Sequence, residues 1–136
     1  MIKPIMKSEF FLRLPSEDAG PDDAATGQDL LDTLLEHEHE CVGLAANMIG
    51  VRKRIICVKD GNRALLMYNP QILEQVNAYQ TSEGCLSLIG ERPCTRYRRI
   101  KVEELVENFV HRIKNFSGYT AEIIQHEIDH CCGIVV

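Results

Sequence analysis

The sequence lacks a continuous apolar run of the roughly 18 residues that a membrane-spanning helix requires. Its N-terminal stretch also lacks the uninterrupted apolar core of a secretory signal peptide, because Pro4, Glu9 and Arg13 break it up. No two of its six cysteines form a C-x-x-C pair, so a four-cysteine zinc ribbon is a poor interpretation. These absences predict a cytoplasmic protein, not bound to a membrane, whose thiols stay reduced.

Positive charge is outnumbered by negative charge in this chain, with 15 lysines and arginines against 20 acidic residues. The formal net charge is −5 and the isoelectric point lies near 5.5, so the basic surface typical of nucleic-acid-binding proteins is not expected. One short basic cluster, Arg96 to Lys101, runs into alternating apolar residues and is typical of the solvated side of a strand. A length of 136 residues, of which 45% are hydrophobic, indicates a single globular domain over residues 1–136.

Two segments have the apolar periodicity of an amphipathic helix. Leucines recur at helical spacing over residues 27–39, directly after a loop rich in proline and acidic residues over 14–26. The segment 118–133 has isoleucines on one side, with Thr120 as its expected N-cap and Gly133 at its expected C-terminus. We therefore expect one N-terminal amphipathic helix and one C-terminal helix.

Between these helices the sequence shows the alternation and the turn residues of β-strands. The glycine-containing turn KDGNR separates the first two apolar runs and predicts a hairpin. The predicted strands span residues 54–58, 64–68, 71–79, 98–105 and 108–116. This order of elements predicts an α+β fold in which antiparallel β-sheets pack around the C-terminal helix.

The C-terminal helix carries an H-E-x-x-H motif within the stretch QHEIDH. Residues four apart share one face of a helix, so His126 and His130 can hold one metal ion. A catalytic site of this kind usually takes three protein ligands and leaves one position for water. Only six residues follow His130, and none of them is His, Asp or Glu. The third ligand must therefore come from elsewhere in the chain.

The other histidines have simpler explanations than metal binding. His37 and His39 lie on a strongly acidic stretch, EHEHE, which indicates a solvated helix end. His111 falls in a predicted strand with charged neighbours, which favours a position at the surface or at a sheet edge. We expect none of the three to be the missing ligand.

The cysteines leave two interpretations open. Cys57 lies in an apolar strand and is typical of a core thiol, while Cys131 and Cys132 should point away from the metal-facing side of their helix. Cys85 follows Gly84, a residue that allows close approach of the backbone, at the start of a short apolar run. From spacing alone, Cys85 is either a thiolate ligand or a small buried thiol.

Three stretches together resemble the peptide deformylase family. They are CVGLAANM at 41–48, EGCLS at 83–87 and QHEIDH at 125–130, in the family's order. The resemblance implies an α+β fold and a bacterial hydrolase of protein biosynthesis. It also implies a divalent metal held by Cys85, His126 and His130, with Fe²⁺ as the expected ion and Zn²⁺, Ni²⁺ or Co²⁺ as alternatives.

The same resemblance implies a role for each site residue. Glu127 acts as the general base toward water, and the backbone N–H of Leu86 stabilises the oxyanion. Glu83 pairs with Arg96 to shape the site. The substrates are N-formylmethionyl peptides or nascent chains, and formate is released. The implied substrate-binding residues are Val42, Gly43, Leu44 and Met48.

The chain departs from the family pattern at Met48, where the family has a glutamine that donates to the oxyanion. Methionine has no such donor, and losing one donor typically costs about 10²- to 10³-fold in rate. Cys41 also replaces a family glycine, and Ile89 stands where a proline is frequent. Three explanations follow: Asn47 supplies the amide, the enzyme is slow, or a deformylase-like metal site persists with weak or altered activity on other N-acyl peptides.

Two further functions compete with deformylation. The first is a non-catalytic metal or redox sensor, in which Cys41 or Cys131 closes the metal site as a fourth protein ligand. The second is an endopeptidase of the H-E-x-x-H type, which the missing downstream ligand disfavours. The intact Glu127 favours hydrolysis, since a purely structural metal site has no need of a general base.

Overall fold

One continuous antiparallel sheet organises the chain. This computed structural model describes residues 1–136, except for the side chain of Glu107. The sheet has five strands in the order β1-β2-β3-β4-β5, so each strand pairs with its neighbour in sequence. The strands are β1 Gly43–Ala45, β2 Ile55–Asp60, β3 Arg63–Glu83, β4 Arg92–Leu105 and β5 His111–Ser117. The α+β prediction is confirmed, although the strands form one sheet and not several.

Three α-helices accompany the sheet, namely α1 Glu9–Leu12, α2 Ala24–Glu36 and α3 Gly118–Cys131. The expected helices correspond to α2 and α3, but α2 begins three residues earlier than predicted and ends at Glu36. Short 3₁₀ turns span Pro21–Asp23, Ala46–Ile49 and Glu107–Phe109. The one-turn helix α1 was not expected. Its N-terminus is capped by Ser8 Oγ, which accepts from the N–H of Phe11 at 3.2 Å.

For α3, the predicted N-cap was wrong and the predicted C-terminal glycine was right. Ser117 takes the N-cap position, and the hydroxyl of Thr120 donates instead to Asp60 Oδ1 at 2.9 Å. This hydrogen bond ties the first turn of α3 to the end of β2. Gly133 has a φ of 77° just past the last turn of α3, the left-handed conformation that commonly ends a helix.

The predicted hairpin is present, but its second arm is much longer than expected. Strands β2 and β3 pair from Ile55 opposite Tyr68 to Asp60 opposite Arg63. Strand β3 then continues through the segment predicted as a separate strand and ends at Glu83, the first residue of the EGCLS stretch. Two asparagines within β3, Asn69 and Asn77, have φ values of 53° and 64°. Asparagine tolerates this left-handed conformation, so the strand bends without ending.

Strand β2 is buried on both of its faces. Ile56 and Val58 pack into a cluster that includes the isoleucines of α3. Ile55 and Cys57 point to the other face, into a cluster with Leu30 and Leu34 of α2. The sheet is therefore sandwiched between the two helices at this point, which explains why RIICV is a continuous apolar run and not an alternating one. Within the described residues, no helix has the length and the apolar content to cross a membrane.

Candidate active site

The two histidines of the H-E-x-x-H motif meet on the buried side of α3. Their Nε2 atoms lie 3.2 Å apart, and His130 is completely buried. Two nitrogen ligands held about 2.0–2.1 Å from one ion at tetrahedral angles lie about 3.3 Å apart. The separation of the two nitrogens therefore fits a shared metal ion. The carboxylate of Glu127 completes a group of three whose ligand atoms all lie within 4.8 Å of one another.

A buried ion-pair network orients His126. Its Nδ1 lies 2.8 Å from Glu83 Oε1, and because a carboxylate only accepts, this contact leaves Nε2 to present its lone pair to a metal. Arg96 binds the same carboxylate with Nε at 3.1 Å and Nη2 at 2.8 Å. Its Nη1 also donates to Asp129 Oδ2 at 2.6 Å. The expected Glu83–Arg96 pair is therefore present, and it links strands β3 and β4 to the metal-facing side of α3.

The electrostatics of this network suit metal ligation. Burial lowers the pKa of His130 to about 3, so its ring is neutral at physiological pH, as a ligand must be. Burial also opposes the charged form of His126, but the hydrogen bond to Glu83 together with the charges of Glu127 and Glu83 outweighs burial and raises the pKa of His126. Burial opposes ionisation of Glu83 as well, yet hydrogen bonds with His126 and Arg96 hold its pKa well below the usual range. Glu83 is thus a fixed negative charge behind the histidine pair.

Glu127 is a buried carboxylate without a complete set of partners. It is 3% exposed, and among the described residues its Oε1 atom has no hydrogen-bond partner. Burial raises the pKa of Glu127 to about 7, so the group exchanges a proton near neutral pH. It lies against Gly43, where an added Cβ would stand 2.9 Å from Glu127 Oε2. Only glycine therefore leaves room for this carboxylate.

A cavity of about 590 Å³ opens onto His126 and Glu127. Val42, Gly43, Cys85 and Leu86 line the same cavity. The structure thus brings Cys85 to the site, although its thiol is not one of the three groups that lie within 4.8 Å of one another. The carbonyl oxygen of Leu86 accepts a hydrogen bond from Lys7 Nζ at 2.7 Å. This contact fixes the segment that follows Cys85 against the N-terminal part of the chain.

Two of the expected substrate residues lie outside that cavity. Leu44 and Met48 are buried in the apolar cluster on the α2 side of the sheet and do not line the cavity. Alternation along β1 explains Leu44, because its neighbour Gly43 takes the position facing Glu127. The sulfur of Met48 accepts a contact from the N–H of Ala45 at 3.5 Å. Asn47, considered as a substitute donor, instead directs its Nδ2 to the carbonyl oxygen of His130 at 2.9 Å.

His111 lies at the surface, as predicted, and Cys57, Cys131 and Cys41 have raised thiol pKa values. His111 is exposed and pairs with Glu103 at 2.8 Å. Cys57 and Cys131 are buried in the core, and burial raises the pKa of both thiols to about 12. Cys41 lines the cavity, where burial, with the charge of Glu127 adding to it, raises its thiol pKa to about 11. The raised thiol pKa values of Cys41 and Cys131 disfavour either residue as a fourth, thiolate ligand of the metal.

Two site residues were missed by the sequence argument. Asp129 holds Arg96 in place, and its position inside the H-E-x-D-H string was the available signal. Glu122 lines the cavity and accepts a hydrogen bond from the hydroxyl of Tyr79 at 3.1 Å. It lies four residues before His126, so the helical spacing that paired the two histidines also places Glu122 on their face.

Comparisons with known proteins agree with this geometry. The sequence matches the family described as Polypeptide deformylase over residues 4–136. It is 50% identical to the peptide deformylase of Clostridium beijerinckii over 136 residues, which is all of both chains. It is 37% identical to peptide deformylase 1 of Clostridium perfringens over 111 residues, covering 79% of this chain and 74% of the relative.

Solved structures show the same fold. A class I type b peptide deformylase from Acinetobacter baumannii with bound Met-Ala-Ser superimposes with a TM-score of 0.89 at 28% identity, covering 99% of this chain and 97% of the other. The peptide deformylase of Thermotoga maritima gives a TM-score of 0.89 at 27% identity, covering 99% and 95%. With the family match over nearly the whole sequence, these findings show that the chain belongs to the polypeptide deformylase family.

Proposed function

We propose that this protein, acting as one domain over residues 1–136, removes the formyl group from N-formylmethionyl peptides and releases formate. The observation that carries the proposal is the convergence of two buried imidazole nitrogens, 3.2 Å apart, beside an unpartnered carboxylate in an open cavity. This arrangement suits metal-assisted hydrolysis. Nascent chains are the natural source of such peptides, so we place the reaction in the cytoplasm.

The proposed metal ligands are His126, His130 and Cys85. The first two present Nε2 atoms at a separation that fits a shared ion, and Cys85 lines the same cavity. One thiolate and two imidazoles suit Fe²⁺, with Zn²⁺, Ni²⁺ and Co²⁺ as alternatives. When bound, the ion supplies Lewis-acid chemistry, polarising the formyl carbonyl and lowering the pKa of water.

Glu127 is the proposed proton carrier. Its pKa of about 7 lets it take a proton from the attacking water and return it to the leaving amine. Its position against Gly43 keeps the carboxylate in one place. The bond between the formyl carbon and the methionine nitrogen breaks. The water oxygen stays on formate, and the amine leaves with the proton that Glu127 delivers.

The developing oxyanion requires hydrogen-bond donors, and the proposed one is the backbone N–H of Leu86. Leu86 lines the cavity directly after Cys85. The side chain of Met48 cannot donate, so the chain relies on fewer donors than the family pattern provides. We therefore propose a slower chemical step than a glutamine at this position would support.

Strand β1 is the proposed docking edge for the substrate. It is the first strand of the sheet order and pairs with β2 on one side, so no other strand of the described sheet pairs with its outer edge, where an extended peptide could add as a further strand. Val42 and Gly43 lie at the cavity end of this edge. The Acinetobacter relative has a Met-Ala-Ser tripeptide bound, which is the deformylated form of such a substrate.

Formate release from formyl-Met-Ala-Ser by anaerobically purified, Fe²⁺-loaded protein tests the proposal. We expect formate with the loaded protein and none with the metal-stripped protein. The Glu127→Ala variant should bind metal but release at least about 10²-fold less formate. A loaded, folded protein that releases no formate would overturn the proposed function.

A further inference from the structure

The segment between β3 and β4 carries both Cys85 and Leu86, yet it contains no helix or strand. Its two ends lie together, because a Cβ added at Gly84 would stand 3.1 Å from the carbonyl oxygen of Gly90. The residues between these ends therefore form a loop that strand pairing does not hold in place. We call residues 84–91 the Cys85 loop.

A single hydrogen bond ties the Cys85 loop to the rest of the fold. Within the part of the chain that the structure describes, the one hydrogen bond to a loop residue runs from Lys7 Nζ to the carbonyl oxygen of Leu86, at 2.7 Å. The hydroxyl of Ser87 is buried and has no described partner. Cys85, Leu86 and Leu88 also pack against the apolar cluster on the α2 side of the sheet. Apolar packing is not directional, whereas a hydrogen bond is, so the contact with Lys7 sets the orientation of Leu86.

The backbone around Lys7 is anchored on both sides. The N–H of Met6 donates to the carbonyl oxygen of Met48 at 2.7 Å, and the side chain of Met6 packs in the same apolar cluster as Met48. On the other side, Glu9 Oε1 lies 3.6 Å from Arg92 Nη2 at the start of β4. The ammonium group of Lys7 therefore extends to the Cys85 loop from a fixed starting point.

The carbonyl group that Lys7 binds belongs to the residue that supplies the proposed oxyanion donor. The N–H and C=O groups of Leu86 flank one Cα atom, so a rotation that breaks the bond to Lys7 also turns the N–H group. A donor stabilises an oxyanion only when it already points to the place where the charge develops. Because Met48 cannot donate, the reaction depends more strongly on the orientation of this single N–H group.

We propose that Lys7 is a positioning residue for the reaction, since it holds Leu86 in the orientation that presents its N–H group to the oxyanion. This inference rests on the proposed function and deepens it. Lys7 does not line the active-site cavity, so it acts through Leu86 and not through contact with the substrate.

Kinetics of formate release from formyl-Met-Ala-Ser test this role. Lys7→Met keeps a long side chain without a donor, and it should lower kcat by about 10- to 10²-fold, the cost of a misplaced reacting group. KM should stay within about twofold, because the lost interaction belongs to the transition state. Lys7→Arg retains a charged donor and should recover most of the lost kcat. Lys3→Met is the matched control on the same segment, where Lys3 Nζ lies 3.9 Å from Asp29, and it should leave kcat unchanged.

Nuclear magnetic resonance measures the orientation of the donor without any turnover. The ¹⁵N order parameter of the Leu86 amide, in protein loaded with diamagnetic Zn²⁺, should be about 0.85 in the wild type and in Lys3→Met. In Lys7→Met it should fall below about 0.6, the range of a flexible backbone. Lys7→Arg should restore the wild-type value.

The outcomes separate this role from the proposed function. Equal kcat for the wild type and Lys7→Met would overturn the positioning role and leave deformylation intact. A rise in KM at constant kcat, or an equal loss of kcat in Lys7→Arg, would overturn it as well. If the loaded wild type releases no formate, the proposed function fails, and the order parameters still decide whether Lys7 holds Leu86. An equally mobile Leu86 amide in the wild type and Lys7→Met would then refute the contact.

Discussion

The side-chain amide of Asn47 donates a hydrogen bond to the main-chain carbonyl oxygen of His130 at 2.9 Å, and both residues are fully buried. The contact connects the turn after β1 with the last turn of α3. It therefore joins the GLAANM stretch to the H-E-x-D-H stretch, which lie 83 residues apart in sequence.

We expect Asn47→Ala to destabilise the protein by about 1–3 kcal/mol, because a buried carbonyl oxygen loses its side-chain donor. Urea denaturation of the metal-free protein measures the change. Asn115→Ala, at an exposed position on β5, is the matched control and should change stability by less than about 0.5 kcal/mol. A similar stability for both variants would show that the Asn47 contact contributes little.

Gly43→Ala should reduce kcat severely. An added Cβ would lie 2.7 Å from Ile123 Cγ2 and 2.9 Å from Glu127 Oε2, so the carboxylate has to move from its position. Formate release and the melting temperature together distinguish displacement of Glu127 from general unfolding. Gly20→Ala introduces the same methyl group where nothing lies within 4 Å, and it should leave both measurements unchanged.

Met48→Gln should lower the stability of the fold, and it tests the missing oxyanion donor. The position is buried among apolar side chains, so an amide placed there costs about 1–3 kcal/mol. The amide would raise kcat, by up to about 10²-fold, only by turning from this cluster into the cavity, which Met48 does not line. Met48→Leu keeps the apolar character and should do neither. If the glutamine variant folds without a gain in kcat, the backbone donors are sufficient for the oxyanion.

Glu83→Gln should weaken metal binding by about 10- to 100-fold, because a carboxylate partner of a histidine ligand tunes and orients it. Competition with a metal chelator measures the affinity directly. Glu103→Gln removes another Glu–His contact, the exposed one to His111, and provides the matched control. Equal metal affinity in the two variants would contradict the orienting role of Glu83.

The pH dependence of the metal-free protein follows from Glu127. Its pKa is raised from 4.5 to about 7 by burial, so the folded state binds this proton more tightly than the unfolded state. The resulting stability is complete below pH 4.5 and is lost as pH rises to about 7. Relative to Glu127→Gln, the metal-free wild type should lose roughly 3 kcal/mol over this range in urea titrations. Parallel pH profiles for the two proteins would contradict this shift.

Much of the fold could be predicted because its local signals agree with the tertiary structure. The H-E-x-D-H helix, the turn KDGNR and Gly133 all carry short-range signals that the fold uses directly. The length of β3 could not be predicted, because Asn69, a residue typical of turns, falls between the two predicted strands, while Asn77 lies inside the second of them. In the structure they bend a strand that its neighbours hold together by hydrogen bonds, which no local pattern records.

Some site residues could be located from the sequence, and others could not. Spacing along one helix was enough to bring His126 and His130 together, but the approach of Cys85 depends on where a 21-residue strand ends. Leu44 and Met48 show the limit of a motif, since a matching stretch does not say which of its side chains face a cavity.

The active-site cavity, which Glu83, Glu122 and Glu127 help to line, also bears on how the reaction ends. Hydrolysis of a neutral formamide creates two ions, the formate anion and the ammonium group of the new N-terminus. The carboxylates repel the first and attract the second. We therefore expect formate to depart before the peptide, so that peptide release, and not formate release, sets product inhibition.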